Sequence, residues 1–340
     1  MVNAVFEALR SKDQSRPFTV GIFDDVTRTS LSFDPNSWAE PADVARAVLF
    51  GLGSDGTVGA NKASVKIIGE NTPLYAQGYF VYDSKKAGSR TISHLRFGPS
   101  PIVSTYLIGP GQATFVACHH FQLLDDVDVL EPAAPGSKLL INSPYPADVV
   151  WSHLPLRIRA GIIEKGIELW VVDAAGVAKE AGLGGRINTV LQVCFFALAK
   201  VIPLDEAIEA IKEEISKSYG KRGEVVVRRN FAAVDRALDG LQQVEIPVEG
   251  LAGALAKSAI PSLADRLSTA PDFVQRVTGI MMGGRGDLLP VSAMPVDGTF
   301  PPTPPSGKSG RSARKSPSGI RQSASTVAAV LWSALMPLSG

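Results

Sequence analysis

The 340-residue sequence predicts an α/β protein with a mostly parallel sheet that is flanked by helices. Runs of β-branched and aromatic residues alternate along the chain with amphipathic segments of helical periodicity, an order typical of this class. The run IELWVVD at 167–173 is continuously apolar, as expected of a strand that helices cover on both faces. Apolar residues make up 45% of the chain, which is enough to build a core and excludes a disordered protein.

The remaining elements follow from periodicity and from the turn residues between runs. A strand is predicted at 18–23, and a helix at 41–52, where Pro41 precedes apolar residues at helical spacing. Further strands are predicted at 63–70, 75–83, 91–98, 104–109, 114–120 and 138–145. Further helices are predicted at 151–166, 186–200, 204–219 and 224–243. Residues 244–302 are richer in Pro and Gly and predict a small appended α+β module.

The net charge of +1 conceals two parts of opposite sign. Residues 303–340 contain five basic residues and no acidic ones, which leaves 29 basic against 33 acidic residues in 1–302. A strongly basic nucleic-acid-binding protein is therefore excluded. Cys118 and Cys194 both lie in apolar runs and do not suggest a disulfide framework, so we expect a cytoplasmic protein. Neither a signal peptide nor a membrane span is predicted, because the longest apolar stretch, 190–204, is short and interrupted.

The most informative segment is a glycine-rich stretch, called here the glycine loop (residues 51–59). It contains the pattern G-x-G-x-x-G at Gly51, Gly53 and Gly56. A dinucleotide-binding loop requires a strand before it and a helix after it, whereas the pattern here predicts a helix before and a strand after. Two interpretations stay open: a tight connection with glycines at positive φ, or a cradle for an anion. The cradle would consist of Gly53, Ser54, Asp55, Gly56, Thr57, Val58 and Gly59, with Asn61 and Lys62 at its rim.

Other polar groups give weaker signals. Lys85 and Lys86 follow a predicted strand and are either part of a charged turn or contacts for phosphates. His94 and Arg96 are two residues apart and so share one face of a strand. His119 and His120 are adjacent on a strand and point to opposite faces, so we expect structural roles and no metal site in 1–302. No catalytic residues are assigned.

Several long segments of residues 1–302 are distinctive in order and composition: FTVGIFDDVTRTSL, GLGSDGTVGANKASVKIIGENTPLYAQGYFVYDSKKAGSRTISHLRFGPSPI, and later runs such as FVACHHFQLLDDVDVL and LPVSAMPVDGTFP. Taken together, these segments resemble the pyruvate:ferredoxin (flavodoxin) oxidoreductase family. The resemblance implies the end of a preceding α/β domain at 1–38, a γ-like domain at 39–243 and a small linker domain at 244–302. This chain therefore resembles the middle of a much larger enzyme.

The resemblance also implies an activity and its cofactors. Family enzymes oxidatively decarboxylate pyruvate on thiamine diphosphate, make acetyl-CoA, and pass electrons through [4Fe–4S] clusters to ferredoxin or flavodoxin. The thiamine and cluster sites belong to other segments of a dimeric enzyme, so this chain alone is expected to be inactive. The middle domain is associated with coenzyme A, which would supply the phosphates for the glycine loop and for Lys85 and Lys86. The alternative is a stand-alone, non-catalytic module that binds coenzyme A or a nucleotide.

The resemblance stops near Pro302, where the family continues into a ferredoxin-like domain with a C-x2-C-x2-C-x3-C-P motif. Residues 303–340 are instead rich in Ser, Pro, Arg and Ala, which is typical of a displaced reading frame in a GC-rich gene. A codon ending in T can encode each of Ser323, Thr326, Ala329 and Ser333, and the codon of the residue that follows each of them begins with GC or GT. Read together across the junction, these bases form the cysteine codons TGC or TGT. The displaced frame thus permits cysteines at the spacing of the expected motif. The alternative is a genuine basic, disordered tail.

Overall fold

The computed structural model describes residues 1–11, 17–34, 39–82, 88–220, 223–247, 270–282 and 285–298. The tail at 303–340, together with its expected disorder, lies outside the described residues, as do Lys85 and Lys86. The chain divides into two compact units. The larger comprises residues 39–260, and the smaller comprises residues 1–38 and 261–340.

The smaller unit joins the two ends of the sequence. It contains helix α1 (Val2–Arg10) and two short parallel strands, β1 (Thr19–Val20) and β2 (Ser30–Leu31). Helical turns follow at Val274–Thr278, Gly279–Met282, Gly286–Leu288 and Val291–Ala293. The Asp25 carboxylate accepts a hydrogen bond from the Ser292 N–H at 2.9 Å, and the Val291 N–H donates to the Phe23 carbonyl at 2.9 Å. These contacts tie residues 17–34 to residues 285–298.

The larger unit is built on one seven-stranded sheet with the order β4-β5-β3-β6-β7-β8-β9. Its strands are β3 (Ala45–Leu52), β4 (Tyr75–Tyr82), β5 (Arg90–Gly98), β6 (Ala113–Cys118), β7 (Ala133–Asn142), β8 (Glu168–Val172) and β9 (Leu241–Gln243). The central strands β3, β6, β7 and β8 are parallel, while β4, β5 and β9 add antiparallel pairs at the two edges. The predicted α/β class is confirmed.

Helices cover both faces of this sheet. They are α2 (Thr57–Asn71), α3 (Leu123–Asp126), α4 (Ala147–His153), α5 (Leu156–Lys165), α6 (Ala174–Glu180), α7 (Asn188–Ala199), α8 (Leu204–Tyr219) and α9 (Glu224–Arg236). One core contains residues of α2 and α6–α9, and the other contains residues of α3–α5. In β3, Ala47 and Leu49 face the first core while Val48 and Phe50 face the second. Within the described residues, no helix is long and apolar enough to span a membrane.

Two predicted elements around the glycine loop were wrong. The predicted helix at 41–52 is strand β3, because a strand buried on both faces is continuously apolar and loses the alternation that marks a strand. The predicted strand at 63–70 belongs to α2, whose buried residues Ala60, Asn61, Ser64, Ile67 and Ile68 follow helical spacing. The β propensity of Val65, Ile67 and Ile68 is overridden by packing on the sheet.

Smaller corrections concern the other boundaries. The predicted strand at 104–109 is a loop, and the predicted helix at 151–166 divides into α4 and α5 at Pro155, which begins α5. The predicted helix at 224–243 ends at Arg236 and is followed by β9. The predicted strand at 18–23 is only the two-residue β1. Helix α6 was not predicted.

Candidate functional site

The glycine loop connects a strand to a helix, which is the reverse of the order expected from the sequence. Strand β3 ends at Leu52 and α2 begins at Thr57, so the loop lies at the carboxyl edge of the central strands. Ligands of open α/β sheets commonly bind at this edge. The predicted order of helix, loop and strand, which argued against a dinucleotide-binding loop, is therefore wrong. A different observation argues against such a loop: β5 lies between β3 and β4, so the strands on either side of α2 are not neighbours as in a dinucleotide-binding unit.

Asp55 holds the shape of the loop. Its carboxylate accepts hydrogen bonds from the Leu52 N–H at 2.8 Å, the Thr57 N–H at 2.7 Å and His120 Nε2 at 2.9 Å. Burial raises the pKa of Asp55, but the hydrogen bonds from His120, Leu52 and Thr57 outweigh it and lower the pKa to about 2. Asp55 is therefore a carboxylate that is already bound inside the loop, and we assign it to maintaining the loop rather than to contacting a ligand.

Thr57 turns inward and fixes the loop to the next strand. Its Oγ1 lies 2.9 Å from Nδ1 of His119, directly after β6. A Cβ atom at Gly51 would lie 2.7 Å from the same Oγ1, so only glycine permits this approach. Asn142 at the end of β7 donates to the His119 carbonyl at 3.0 Å. The loop is thus attached to three neighbouring strands.

The exposed residues of this region lie in the loop before α2 and on the first turns of α2. Ser54, Gly56, Gly59 and Lys62 are exposed. A Cβ atom built at Gly59 would have no atom within 4 Å, so this side of the helix is open. The N–H groups of Val58 and Gly59 belong to the first helical turn, where no carbonyl of the helix can accept them. The Lys62 ammonium lies 5.3 Å from the ring centroid of Phe80.

The structure therefore divides the predicted site residues into two groups. Ser54, Gly56, Val58, Gly59 and Lys62 form an open surface at the start of α2, whereas Asp55, Thr57 and Asn61 are directed into the fold. Although Lys85 and Lys86 lie outside the described residues, the segment after them meets the loop. The Gly88 N–H donates to the Gly53 carbonyl at 3.2 Å, and the Gly53 N–H donates to the Ser89 carbonyl at 2.7 Å.

Two further residues contact the glycine loop, and neither contact was predicted from the sequence. His120 is 65 residues from Asp55, and Asn188 lies so close that a Cβ atom at Gly56 would be 3.2 Å from its Cγ. Gly56 has a φ of 89°, which glycine adopts without strain. Neither contact has a local signal in the sequence, since each depends on which elements become neighbours in the sheet and helix layers.

Both cysteines of the chain are buried. Burial raises the pKa of both the Cys118 and the Cys194 thiol to about 12, so neither is a thiolate near neutral pH. Across the described parts of the chain, no three His, Cys, Asp or Glu side chains are grouped so that they could hold a metal ion.

Comparison with known proteins identifies the family. The family model described as pyruvate ferredoxin/flavodoxin oxidoreductase matches residues 46–240, more than half of the chain. The chain belongs to this family. A second model, described as a domain of unknown function, matches residues 263–303. The resemblance seen in the sequence is thus confirmed.

Relatives in the pyruvate ferredoxin/flavodoxin oxidoreductase family are much longer than this chain. The pyruvate-flavodoxin oxidoreductase of Rhodospirillum rubrum is 55% identical over 301 residues, which cover 88% of this chain and 24% of the relative. The pyruvate:ferredoxin oxidoreductase of Moorella thermoacetica is 47% identical over 301 residues, 88% of this chain and 25% of the relative. The chain therefore spans about a quarter of the curated relatives that it matches.

A solved structure is also similar to part of this chain. The pyruvate oxidoreductase subunit PORC of Thermotoga maritima matches with a TM-score of 0.47 and 18% identity, covering 60% of this chain and 99% of that subunit.

Proposed function

We propose that this chain is one part of a pyruvate:ferredoxin or pyruvate:flavodoxin oxidoreductase, which converts pyruvate to acetyl-CoA and reduces ferredoxin or flavodoxin. The observation that carries the proposal is the family match over residues 46–240, together with identities near 50% to enzymes of that name. Residues 39–243 would be the γ-like domain, preceded by the end of another domain at 1–38 and followed by a linker domain at 244–302. The remaining domains are the expected partners, in a cytoplasmic homodimer.

The described residues do not fit the family's [4Fe–4S] clusters. Such clusters require several thiolates, and Cys118 and Cys194 are separate, buried and protonated. We also assign no thiamine diphosphate contact to this chain. The chain by itself is therefore expected not to oxidise pyruvate. Its contribution in the proposal is to bind coenzyme A and to pack against other domains.

The coenzyme A proposal rests on the exposed start of α2. Unbonded N–H groups at a helix N-terminus attract phosphates, and here Val58 and Gly59 supply them on the open side of the loop. Lys62 lies three residues after Gly59 and four after Val58, so the three residues share one face of the helix. Glycines at 56 and 59 let a bulky phosphate approach the backbone. Lys85 and Lys86 are proposed as further contacts to the pyrophosphate or the 3′-phosphate.

The test is titration calorimetry of the purified chain with coenzyme A. Removing one lysine–phosphate contact by Lys62→Gln should weaken binding about three- to tenfold. The matched control is Lys66→Gln, which removes the same charge one turn further along α2, where Lys66 pairs with Glu214 at 3.2 Å. Equal weakening in both variants, or no binding by the unmodified chain, would contradict the coenzyme A proposal. The family assignment would stand in either case.

A further inference from the structure

Asp55 places a negative charge beside the surface proposed to bind phosphates. Although burial acts to raise the pKa of Asp55, the hydrogen bonds that it accepts lower it to about 2, so the carboxylate is ionised near neutral pH. It lies in the glycine loop between Ser54 and Gly56, directly before α2. The dipole of a helix is equivalent to about half a positive charge at its N-terminus. One full negative charge outweighs this, so α2 and Asp55 by themselves would repel an anion.

His120 is the residue placed to compensate this charge. Its Nε2 lies 2.9 Å from the Asp55 carboxylate, and its side chain is 25% exposed. The backbone at His120 is fixed, because the Leu123 N–H donates to its carbonyl at 3.0 Å and the Cys118 thiol donates to the same carbonyl at 3.2 Å. Among the described residues, the imidazole hydrogen-bonds to Asp55 alone. Its Nδ1 is therefore left for solvent or for a ligand.

The other cationic and titratable groups near the loop do not take this role. Burial lowers the pKa of His119 to about 4, so this histidine is neutral near pH 7, and its Nδ1 lies 2.9 Å from Thr57 Oγ1. The Lys62 ammonium lies 5.3 Å from the ring centroid of Phe80. Within the described parts of the chain, His120 is thus the one basic side chain in contact with the Asp55 carboxylate.

We propose that protonated His120 is a further ligand-binding residue of the coenzyme A site, which neutralises Asp55 through Nε2 and donates a hydrogen bond to a phosphate oxygen through Nδ1. The inference rests on the coenzyme A function proposed above. Both ring nitrogens of an imidazolium are donors, so one ring can serve both acceptors. Protonation changes the charge at the loop from about minus one half to about plus one half. Because the protonated form binds the anion more tightly, binding of the anion must in turn draw a proton onto His120.

Titration calorimetry of the purified chain with coenzyme A, repeated near pH 7 in buffers of different ionisation enthalpy, measures both the affinity and the protons taken up. His120→Gln keeps an N–H donor for Asp55 but cannot carry a charge. It should raise the dissociation constant about three- to tenfold and reduce the proton uptake. The phosphates of coenzyme A are common to all the titrations, so the difference in uptake between variants reports on the protein.

His153→Gln is the matched control. His153 is an exposed histidine on α4, and its Nδ1 lies 3.0 Å from the Val149 carbonyl. This variant should keep the affinity and the proton uptake of the unmodified chain. If His120→Gln matches His153→Gln in both quantities, the role of His120 is wrong and the coenzyme A proposal stands. If the unmodified chain does not bind coenzyme A, both proposals are wrong.

If His120→Gln fails to fold, the ring NMR signals of the four histidines decide instead. Burial lowers the pKa of both His94 and His119 to about 4, so their signals should not change near neutral pH. The His153→Gln spectrum identifies the signal of His153, which leaves one signal for His120. That signal should titrate at a higher pH when coenzyme A is bound. A titration that coenzyme A does not move would refute the inference.

Discussion

Arg96 shows how much one side chain determines at the edge of the sheet. His94 and Arg96 were predicted to share a face of one strand. Both form hydrogen bonds with the backbone of residues 106–108. The Ile108 N–H donates to His94 Nδ1 at 3.1 Å, and Arg96 binds the carbonyls of Tyr106 and Leu107. The partner of the arginine, Glu40, is 56 residues away, and its side chain is only 3% exposed. The spacing in the sequence predicted that His94 and Arg96 share a face, whereas the pairing of Arg96 with Glu40 depends on the fold.

We predict that Arg96→Met lowers the free energy of unfolding by about 3–5 kcal/mol, because Glu40 would remain buried without its partner. Urea denaturation measures the change. The double variant Arg96→Met with Glu40→Leu removes both charges and should recover much of the loss. If the double variant is no more stable than the single one, the cause is lost packing and not the unpaired carboxylate.

The burial of His119 predicts a pH dependence of stability. Burial lowers its pKa from the ordinary value of 6.5 to about 4, although Asp55 acts in the opposite direction. Because the unfolded chain binds a proton more readily than the folded one between these values, acid favours unfolding there. The stability associated with neutral His119 is present above pH 6.5 and is lost as the pH falls towards 4.

His119→Gln should remove this dependence. The difference in free energy of unfolding between the unmodified chain and the variant should change by on the order of 2–3 kcal/mol between pH 7 and pH 4. Denaturant unfolding at several pH values measures it. His94, whose pKa burial also lowers, is present in both proteins, so its contribution cancels. Parallel pH profiles for the two proteins would show that His119 is not the source.

At the scale of elements, the unit formed by β3, the glycine loop and α2 depends on two glycines with different roles. A Cβ atom at Gly51 would be 2.7–2.9 Å from the Thr57 side chain, whereas one at Gly59 would meet no atom within 4 Å. We predict that Gly51→Ala destabilises the protein by about 1–3 kcal/mol through overpacking. Gly59→Ala should instead stabilise it by about 0.5–1 kcal/mol, because alanine is the better helix former. Thermal unfolding distinguishes the two variants, and similar shifts in both would contradict this assignment.

The elements predicted correctly have either a clear period in their sequence or a short apolar run between turn residues. Helix α8 has charged residues on one side and buries Ala207, Ile211 and Ile215 on the other, so its periodicity was sufficient. Strand β8 was also found, because it is short, apolar and bounded by turns. Strand β3 was mistaken for a helix, since continuous apolar runs of that length suit either element. Helix α2 was mistaken for a strand because Val65, Ile67 and Ile68 give that part of the sequence a β propensity.

At the scale of the whole molecule, residues 303–340 stand apart from the rest of the chain. The family models reach residue 303 and no further, while the charge changes from net −4 in 1–302 to +5 in the tail. We propose that the tail is read in a displaced frame. Sequencing the coding DNA around codon 302 should show cysteine codons across the junctions after Ser323, Thr326, Ala329 and Ser333. If the displaced frame lacks these codons, the tail is a genuine basic segment.

The sequence by itself determined the family, the α/β class, and the residues of the glycine loop. These features depend on local residue order and on composition, which can be interpreted without knowledge of the fold. The tertiary structure alone decided that the loop joins a strand to a helix, that His120 donates a hydrogen bond to Asp55 inside it, and that Arg96 pairs with Glu40 near the edge of the sheet. Such contacts join residues more than fifty positions apart, and their geometry is set by sheet order and core packing, for which a single sequence has no local signal.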